Sequence, residues 1–223
     1  MDDNKTLQSF QKPFAQSRQA IAEWRCDKSR GILLEDVIKN VHPTVLIGVS
    51  GQGGIFTENV IREMASVVAR PIIFPLSNPT SRSEATPSDL MKWTNEQAII
   101  GTGSPFGEIQ KQGQSFRVDQ TNNCYIFPGM GLGLVTAKVK MVTDNMFMAA
   151  AKALADCSPS CLNANANLLP PLSNIREVSL KVALAIAKEA FATGNTSLAP
   201  PANLEDYVRQ HIWRPEYLPY KKG

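Results

Sequence analysis

Thr44-Val45-Leu46-Ile47-Gly48-Val49-Ser50-Gly51-Gln52-Gly53-Gly54 decides the reading of this chain, because an apolar, β-branched run there empties directly into a glycine loop. Such a run predicts a strand buried on both faces, and strands of that kind belong to parallel sheets covered by helices. Downstream, Phe56, Val60, Ile61, Met64, Val67 and Val68 recur at helical spacing behind the cap candidate Thr57. Upstream, Leu33-Leu34-Glu35-Asp36-Val37-Ile38 predicts a short helix that reaches the strand through His42-Pro43.

The same grammar is used again further along. Pro71-Ile72-Ile73-Phe74-Pro75-Leu76 predicts a second strand, Ser77-Asn78-Pro79-Thr80 its loop, and Thr86-Pro87-Ser88-Asp89 the cap, first-turn proline and third-position acid of a helix to about Asn95. Ala98-Ile99-Ile100-Gly101 is a third short strand running into Thr102-Gly103-Ser104-Pro105-Phe106. Three strands separated by helices predict an α/β fold with a right-handed, parallel sheet. Past Gln120 the period becomes helical. A helix is expected from about Gly131 to Asp156, with Leu134, Val135, Val139, Val142, Met146 and Phe147 on one stripe. Another is expected from Ile175 to Thr193, ended by Gly194, and a last one from Asn203 to His211. The first 30 residues read as a polar connector, and the tail from Trp213 to Gly223 as irregular.

Composition narrows the function classes. The chain has 223 residues, 23 Lys+Arg against 20 Asp+Glu, a net charge of +3 and 43% hydrophobic residues, which is a globular composition. No long basic or acidic block offers a footprint for nucleic acid or an anionic membrane, so neither partner is expected. No run is long enough for a membrane-spanning helix. Met1-Asp2-Asp3-Asn4-Lys5 carries no signal-peptide pattern, so Cys26, Cys124, Cys157 and Cys161 suggest no disulfide framework; Cys157 and Cys161 are four apart, but with no second cysteine pair and only His42 and His211 elsewhere a zinc site is not expected, and a reducing, cytoplasmic setting is, with an organellar location of a complete protein left open.

In open parallel sheets ligands bind beyond the carboxyl ends of the strands, so loops 50–54, 77–80 and 102–106 are expected to converge on one crevice. Small residues there admit a ligand to the backbone, and a helix start behind a glycine loop can present unpaired amides to an anion or polar cofactor. A nucleotide suits that arrangement, although Gly51-Gln52-Gly53-Gly54-Ile55-Phe56 breaks the dinucleotide fingerprint at its last glycine. The alternative is that these glycines only close tight turns. Asn78 offers an amide that both donates and accepts, or else forms an Asx turn; Asn122 and Asn123 carry the same pair of readings, and Ser104-Pro105-Phe106 leans to structure. No nucleophile sits in an elbow-like motif, neither His42 nor His211 neighbours a candidate acid, and no clustered carboxylates suggest a metal site.

Taken together, Leu46-Ile47-Gly48-Val49-Ser50-Gly51-Gln52-Gly53-Gly54-Ile55-Phe56-Thr57, Leu76-Ser77-Asn78-Pro79-Thr80, Gly103-Ser104-Pro105-Phe106, and Asn122-Asn123-Cys124-Tyr125-Ile126-Phe127-Pro128-Gly129 closely resemble the malic enzymes. The likeness runs from Phe10-Gln11-Lys12-Pro13-Phe14-Ala15 through Pro170-Pro171-Leu172-Ser173-Asn174-Ile175-Arg176 to Trp213-Arg214-Pro215-Glu216-Tyr217. It implies oxidation of malate with NAD or NADP, decarboxylation assisted by Mg or Mn, and protonation of the resulting enol to pyruvate. It implies substrate-binding roles for Asn78, Asn122 and Asn123, and cofactor-binding roles for Ser50, Gly51, Ser77 and Asn78. It further implies a Rossmann-like sheet present only as its second half: a connector over 1–30, the later half of a nucleotide-binding domain over 31–160, and a C-terminal helical segment over 161–223. Family members are more than twice as long, and their acid, base, metal ligands and nucleotide fingerprint belong to segments that would precede Met1. The chain is therefore expected to lack catalytic and metal-binding residues and to be inactive without an N-terminal part or a full-length malic enzyme subunit. The complete protein is expected to be a homo-oligomer. The alternative from another class is a non-catalytic nucleotide-binding or regulatory module.

Overall fold

The computed structural model describes residues 6–111, 113–214, 216–217 and 219–220, arranged as two compact units that divide between Phe116 and Arg117. The signal-free start read at Met1–Lys5, and Pro215, Leu218 and 221–223 of the tail, lie outside the described residues.

The first unit is built on parallel strands β1 (Val45–Gly48), β2 (Ile72–Pro75) and β3 (Ile99–Thr102), adjacent in that order. Val45 pairs with Ile72 and Gly48 with Pro75, while Ile72 pairs with Ile99. Helices α1 (Leu34–Val41), α2 (Glu58–Val67) and α3 (Pro87–Trp93) alternate with the strands. The α/β reading is therefore correct. Thr57 caps α2 by accepting from the Val60 amide, and Thr86 caps α3 by accepting from Asp89, whose carboxylate in turn receives the Thr86 hydroxyl. Ile38, Val60, Ile61, Met64, Ile73 and Leu90 form the fully buried core. Residues 6–30 carry only short 3-10 turns, with Ile21 as their buried anchor.

Two expectations for this unit are corrected. β1 is not buried on both faces: Val45, Ile47 and, just past its end, Val49 are 43%, 54% and 76% exposed, because only the face of Leu46 and Gly48 is covered. The stripe of α2 also narrows, since Val67 faces out while Val60, Ile61 and Met64 are buried. An antiparallel hairpin, β4 (Ile109–Lys111) with β5 (Gln114–Phe116), follows β3 and turns at Gly113, whose φ of +74° suits glycine.

The second unit is helical: α4 (Phe127–Thr136), α5 (Asp144–Ala155), α6 (Ile175–Ala192) and α7 (Leu204–Gln210). α6 is its axis, burying Val178, Leu180, Val182, Ala183, Ile186, Ala187 and Ala190. α4 crosses it at backbone distance: a Cβ on Gly129 would sit 2.6 Å from the Ser179 carbonyl oxygen, and one on Gly133 2.7 Å from that of Ala183. Gly194 ends α6 in the left-handed region at φ +65°, as its sequence position implies.

The single helix expected over Gly131 to Asp156 is two helices. α4 ends at Thr136 with Ala137 as its C-cap, Lys138 takes φ +47°, and Val139 bridges Thr196. Asn195 then clamps both backbone groups of Met141, and the Thr196 hydroxyl donates to the Ala137 carbonyl. A side-chain partner for the freed backbone thus comes from beyond α6, which helical periodicity does not reveal. The expected stripe holds only in part: Met146 is buried and Leu134 and Val139 pack against the core, whereas Val135, Val142 and Phe147 are exposed and Met130 and Gly133 are buried in their stead.

Candidate functional site

The loops that leave the carboxyl ends of β1, β2 and β3 do converge, and a side chain absent from the sequence reading joins two of them. Glu84 is fully buried. Its Oε1 accepts from the Ser50 amide at 2.9 Å, the Ser50 hydroxyl at 3.1 Å and the Ser77 hydroxyl at 2.5 Å, while Oε2 accepts from the Ser77 amide at 3.3 Å. Burial, the largest influence, pushes its carboxyl up; the Ser77 hydroxyl and the surrounding amides outweigh burial and hold it below the ordinary value of 4.5. Gly48 makes room for it, since a Cβ there would lie 2.5 Å from the carboxylate carbon.

The glycine loop is drawn tight around this group. Gly51, at φ +67°, donates its amide to the Ser77 hydroxyl at 2.9 Å, and Gln52 donates to the Ser50 hydroxyl at 3.3 Å. Gly54 and Phe56 donate to the Ser83 and Glu84 carbonyls, and a Cβ on Gly53 would meet the Ser81 carbonyl oxygen at 2.5 Å. The amides of Ser50, Gly51, Gln52, Gly54 and Phe56 are therefore engaged within the protein. The glycine loop itself is thus closed on the protein, ahead of the start of α2 at Glu58. Arg82 lies at the rim and donates to the Gly51 carbonyl at 3.3 Å.

Asn78 projects from the end of β2 before a cis bond to Pro79, and is exposed. The buried Ser104 hydroxyl, 2.5 Å from Asn78 Oδ1, donates to it and so fixes the amide's orientation, while Nδ2 donates weakly to the Leu76 carbonyl at 3.4 Å. Ser104 can do this because Gly103 lies against β2; a Cβ on Gly103 would stand 1.9 Å from the Leu76 carbonyl oxygen. Ser104, which read as structural, is thus a support of Asn78. Beside Ser50, an open cleft of about 1480 Å³ follows β1 and is lined by Leu46, Ile47, Val49, Phe56, Phe10 and Trp24.

Asn122 and Asn123 belong to the second unit. Asn122 caps a 3-10 turn, its side-chain oxygen accepting from the Cys124 amide at 2.9 Å. Asn123 opens that turn and is exposed. Two buried residues hold this corner. Asp119 accepts from the Leu168 and Leu169 amides at 2.7 and 3.2 Å and pairs with Arg117 at 2.8 Å, and Tyr125 donates its hydroxyl to the Pro170 carbonyl at 2.7 Å. Burial pushes the Tyr125 phenol above its ordinary value. Ser50, Gly51, Ser77 and Asn78 are therefore brought together in one unit, and Asn122 and Asn123 stand side by side in the other.

The histidines have other work: His42 ends α1 in the left-handed region, and His211 contacts the Tyr207 carbonyl at 2.8 Å. All four cysteines are free thiols. Among the described residues no group of three or more His, Cys, Asp or Glu could hold a metal ion, and no helix is long and apolar enough to cross a membrane.

Residues 1–191 match the family model described as Malic enzyme, NAD binding domain. An NAD-dependent malic enzyme of Acinetobacter baylyi is 47% identical over 221 residues, covering 99% of this chain and 39% of that protein. One of Shewanella woodyi is likewise 47% identical with the same coverage. The chain thus spans about two-fifths of the length of the curated relatives it matches. Among solved structures, the malic enzyme of Pyrococcus horikoshii superposes with a TM-score of 0.60 at 26% identity, covering 80% of this chain and 37% of that one. The malic enzyme of Entamoeba histolytica, at 23% identity, shares the fold with a TM-score of 0.65, covering 83% of this chain and 35% of that one. With its parallel sheet, its convergent loops and a family match over most of its length, the chain belongs to the malic enzyme family.

Proposed function

We propose that the chain works as the C-terminal portion of an NAD-dependent malic enzyme, which converts malate to pyruvate and CO2 while reducing the nicotinamide cofactor. The observation that carries this reading is the crevice at the carboxyl ends of β1, β2 and β3, in a chain aligned over 99% of its length with proteins named NAD-dependent malic enzyme. NAD is the cofactor favoured by those names; when bound it supplies the hydride acceptor. Asn78 fits an uncharged amide such as the carboxamide of nicotinamide, because its exposed side-chain amide offers donor and acceptor atoms without adding charge. Asn122 and Asn123 are assigned to the malate carboxylates, which their amides can orient. Ser50, Gly51 and Ser77 form the cofactor side of the crevice. The loop amides of Ser50, Gly51 and Gln52 are spent within the protein, and among the described residues none is assigned to Mg or Mn or to proton transfer. Those functions are assigned to an N-terminal part, within the working division of connector 1–30, nucleotide-binding half 31–160 and helical segment 161–223.

The exposed flank of β1 supports that reading. A parallel sheet is stable when covered on both faces, and β1 with the residue after it leaves Val45, Ile47 and Val49 exposed on one face, while among the described residues no strand pairs with its outer edge. An N-terminal part supplying further strands fits that edge. The test mixes the purified chain with the separately produced N-terminal part of a malic enzyme relative and follows NADH formation from malate. The expected result is no turnover from the chain alone and turnover from the mixture. Turnover by the chain alone, or a stable mixed complex without turnover, would overturn the proposal.

A further inference from the structure

Glu84 is a fully buried carboxylate whose hydrogen-bond partners, Ser50 and Ser77, are uncharged. A buried charge costs folding stability unless donors surround it, and an uncharged residue could fill the same space. What a carboxylate adds is direction. It can only accept, so both serine hydroxyls must donate toward it, and the Ser77 oxygen is thereby turned to receive the Gly51 amide at 2.9 Å. The chain of contacts runs from Glu84 through Ser77 to Gly51, and from Glu84 through Ser50 to Gln52. Loop 50–52 and the end of β2 are in this way one hydrogen-bonded body. Gly48 yields its side-chain volume to the same carboxylate.

We propose that Glu84 is a positioning residue for the dinucleotide crevice. It locks the glycine loop to the Ser77–Asn78 corner, so that Ser50, Gly51 and Ser77 serve as the crevice floor and Asn78, steered by Ser104, is the group offered to the ligand. The proposal rests on the dinucleotide reading above and deepens it.

The test uses the whole chain, isotopically labelled, with two independent NMR readouts. Amide hydrogen exchange at Ser50 and Gly51 reports the lock without any ligand. Titration with NAD at millimolar concentration reports the crevice. In the unaltered chain both amides are protected; in Ser77→Ala only Gly51 loses protection, and in Glu84→Gln both are weakened, because the amide that keeps its oxygen toward Ser50 and the Ser77 hydroxyl sets its new NH2 donor against the Ser77 N–H and replaces a charged acceptor by a neutral one. NAD affinity falls roughly tenfold or more in Glu84→Gln and less in Ser77→Ala, as expected for lost bonds to a charged group. The double variant is no weaker than Glu84→Gln, since the two residues act as one unit. Free exchange of Gly51 in the unaltered chain, or full additivity of the two substitutions, would overturn the proposal. So would a Glu84→Gln chain that melts earlier yet binds NAD as before, which is what a merely structural role gives. If Glu84→Gln does not fold, Ser77→Ala alone decides between these outcomes. Protected amides that NAD leaves unmoved overturn the dinucleotide reading and leave Glu84 nothing to position, a pattern distinct from loss of the lock itself.

Discussion

The two units hold their functional corners by different physics. In the first, loops are gathered by hydrogen bonds onto one buried carboxylate. In the second, Asn122 and Asn123 sit on a helical body whose order comes from apolar packing along α6. The first should therefore answer to single polar atoms, and the second to volume. That contrast can be broken by experiment.

The largest effects are expected where each kind of order is densest. Gly103→Ala forces a Cβ onto the Leu76 carbonyl, which neither backbone can relieve by rotation, so about 3 kcal/mol or more should be lost. Chemical denaturation should then show early melting of the first unit. Ile186→Ala on α6 should cost ~2–5 kcal/mol through lost burial and a cavity, with the first unit's exchange pattern unchanged. If either substitution destabilises both units equally, the contrast fails. Somewhat smaller is Gly133→Ala, about 1–3 kcal/mol, because α4 and α6 can part by a few tenths of an ångström where a sheet cannot. Removing the Asn203 cap of α7, which accepts from the Asp206 amide at 3.2 Å, should cost only ~1 kcal/mol by circular dichroism melts.

Protons sharpen the comparison further. Glu84 is held below its ordinary 4.5, so its contribution to folding is complete above that pH and disappears as pH falls through the lower, folded value. Tyr125 is held above its ordinary 10.0, so its contribution is complete below that pH and disappears as pH rises through the folded value. Acid should therefore loosen the Ser50–Ser77 corner first, and alkali the Tyr125–Pro170 corner, as residue-resolved NMR across the pH range would show. Glu84→Gln should remove the acid arm of that profile and Tyr125→Phe the alkaline arm.

The strand, glycine loop and helix order of the first unit was legible because each part has a local cause: β-branched runs, Thr57 and Thr86 as caps, small residues at strand ends. Asn78 stood out at a strand end, and the structure does place it there. Glu84 was illegible, since its partners lie 7 and 34 residues away and Ser81-Arg82-Ser83-Glu84 reads as an ordinary polar loop. Asp119 escaped for the same reason, accepting from amides 49 and 50 residues further on. The break between α4 and α5 depends on Asn195 and Thr196, which no window centred on residue 140 contains. β1 misled in the opposite direction: its apolar run anticipates neighbours on both faces, whereas within the first unit only one face is covered. Its composition therefore reflects the sheet proposed for the longer protein.

That open flank has a practical side. An edge strand carrying exposed Val45, Ile47 and Val49 is a template for pairing with any other extended chain, including another molecule of itself. Concentration therefore becomes a variable of every experiment on the isolated chain. Purified alone it should self-associate as it is concentrated, and a lysine in place of Ile47 should keep it dispersed while leaving the loops beyond β1 to be studied.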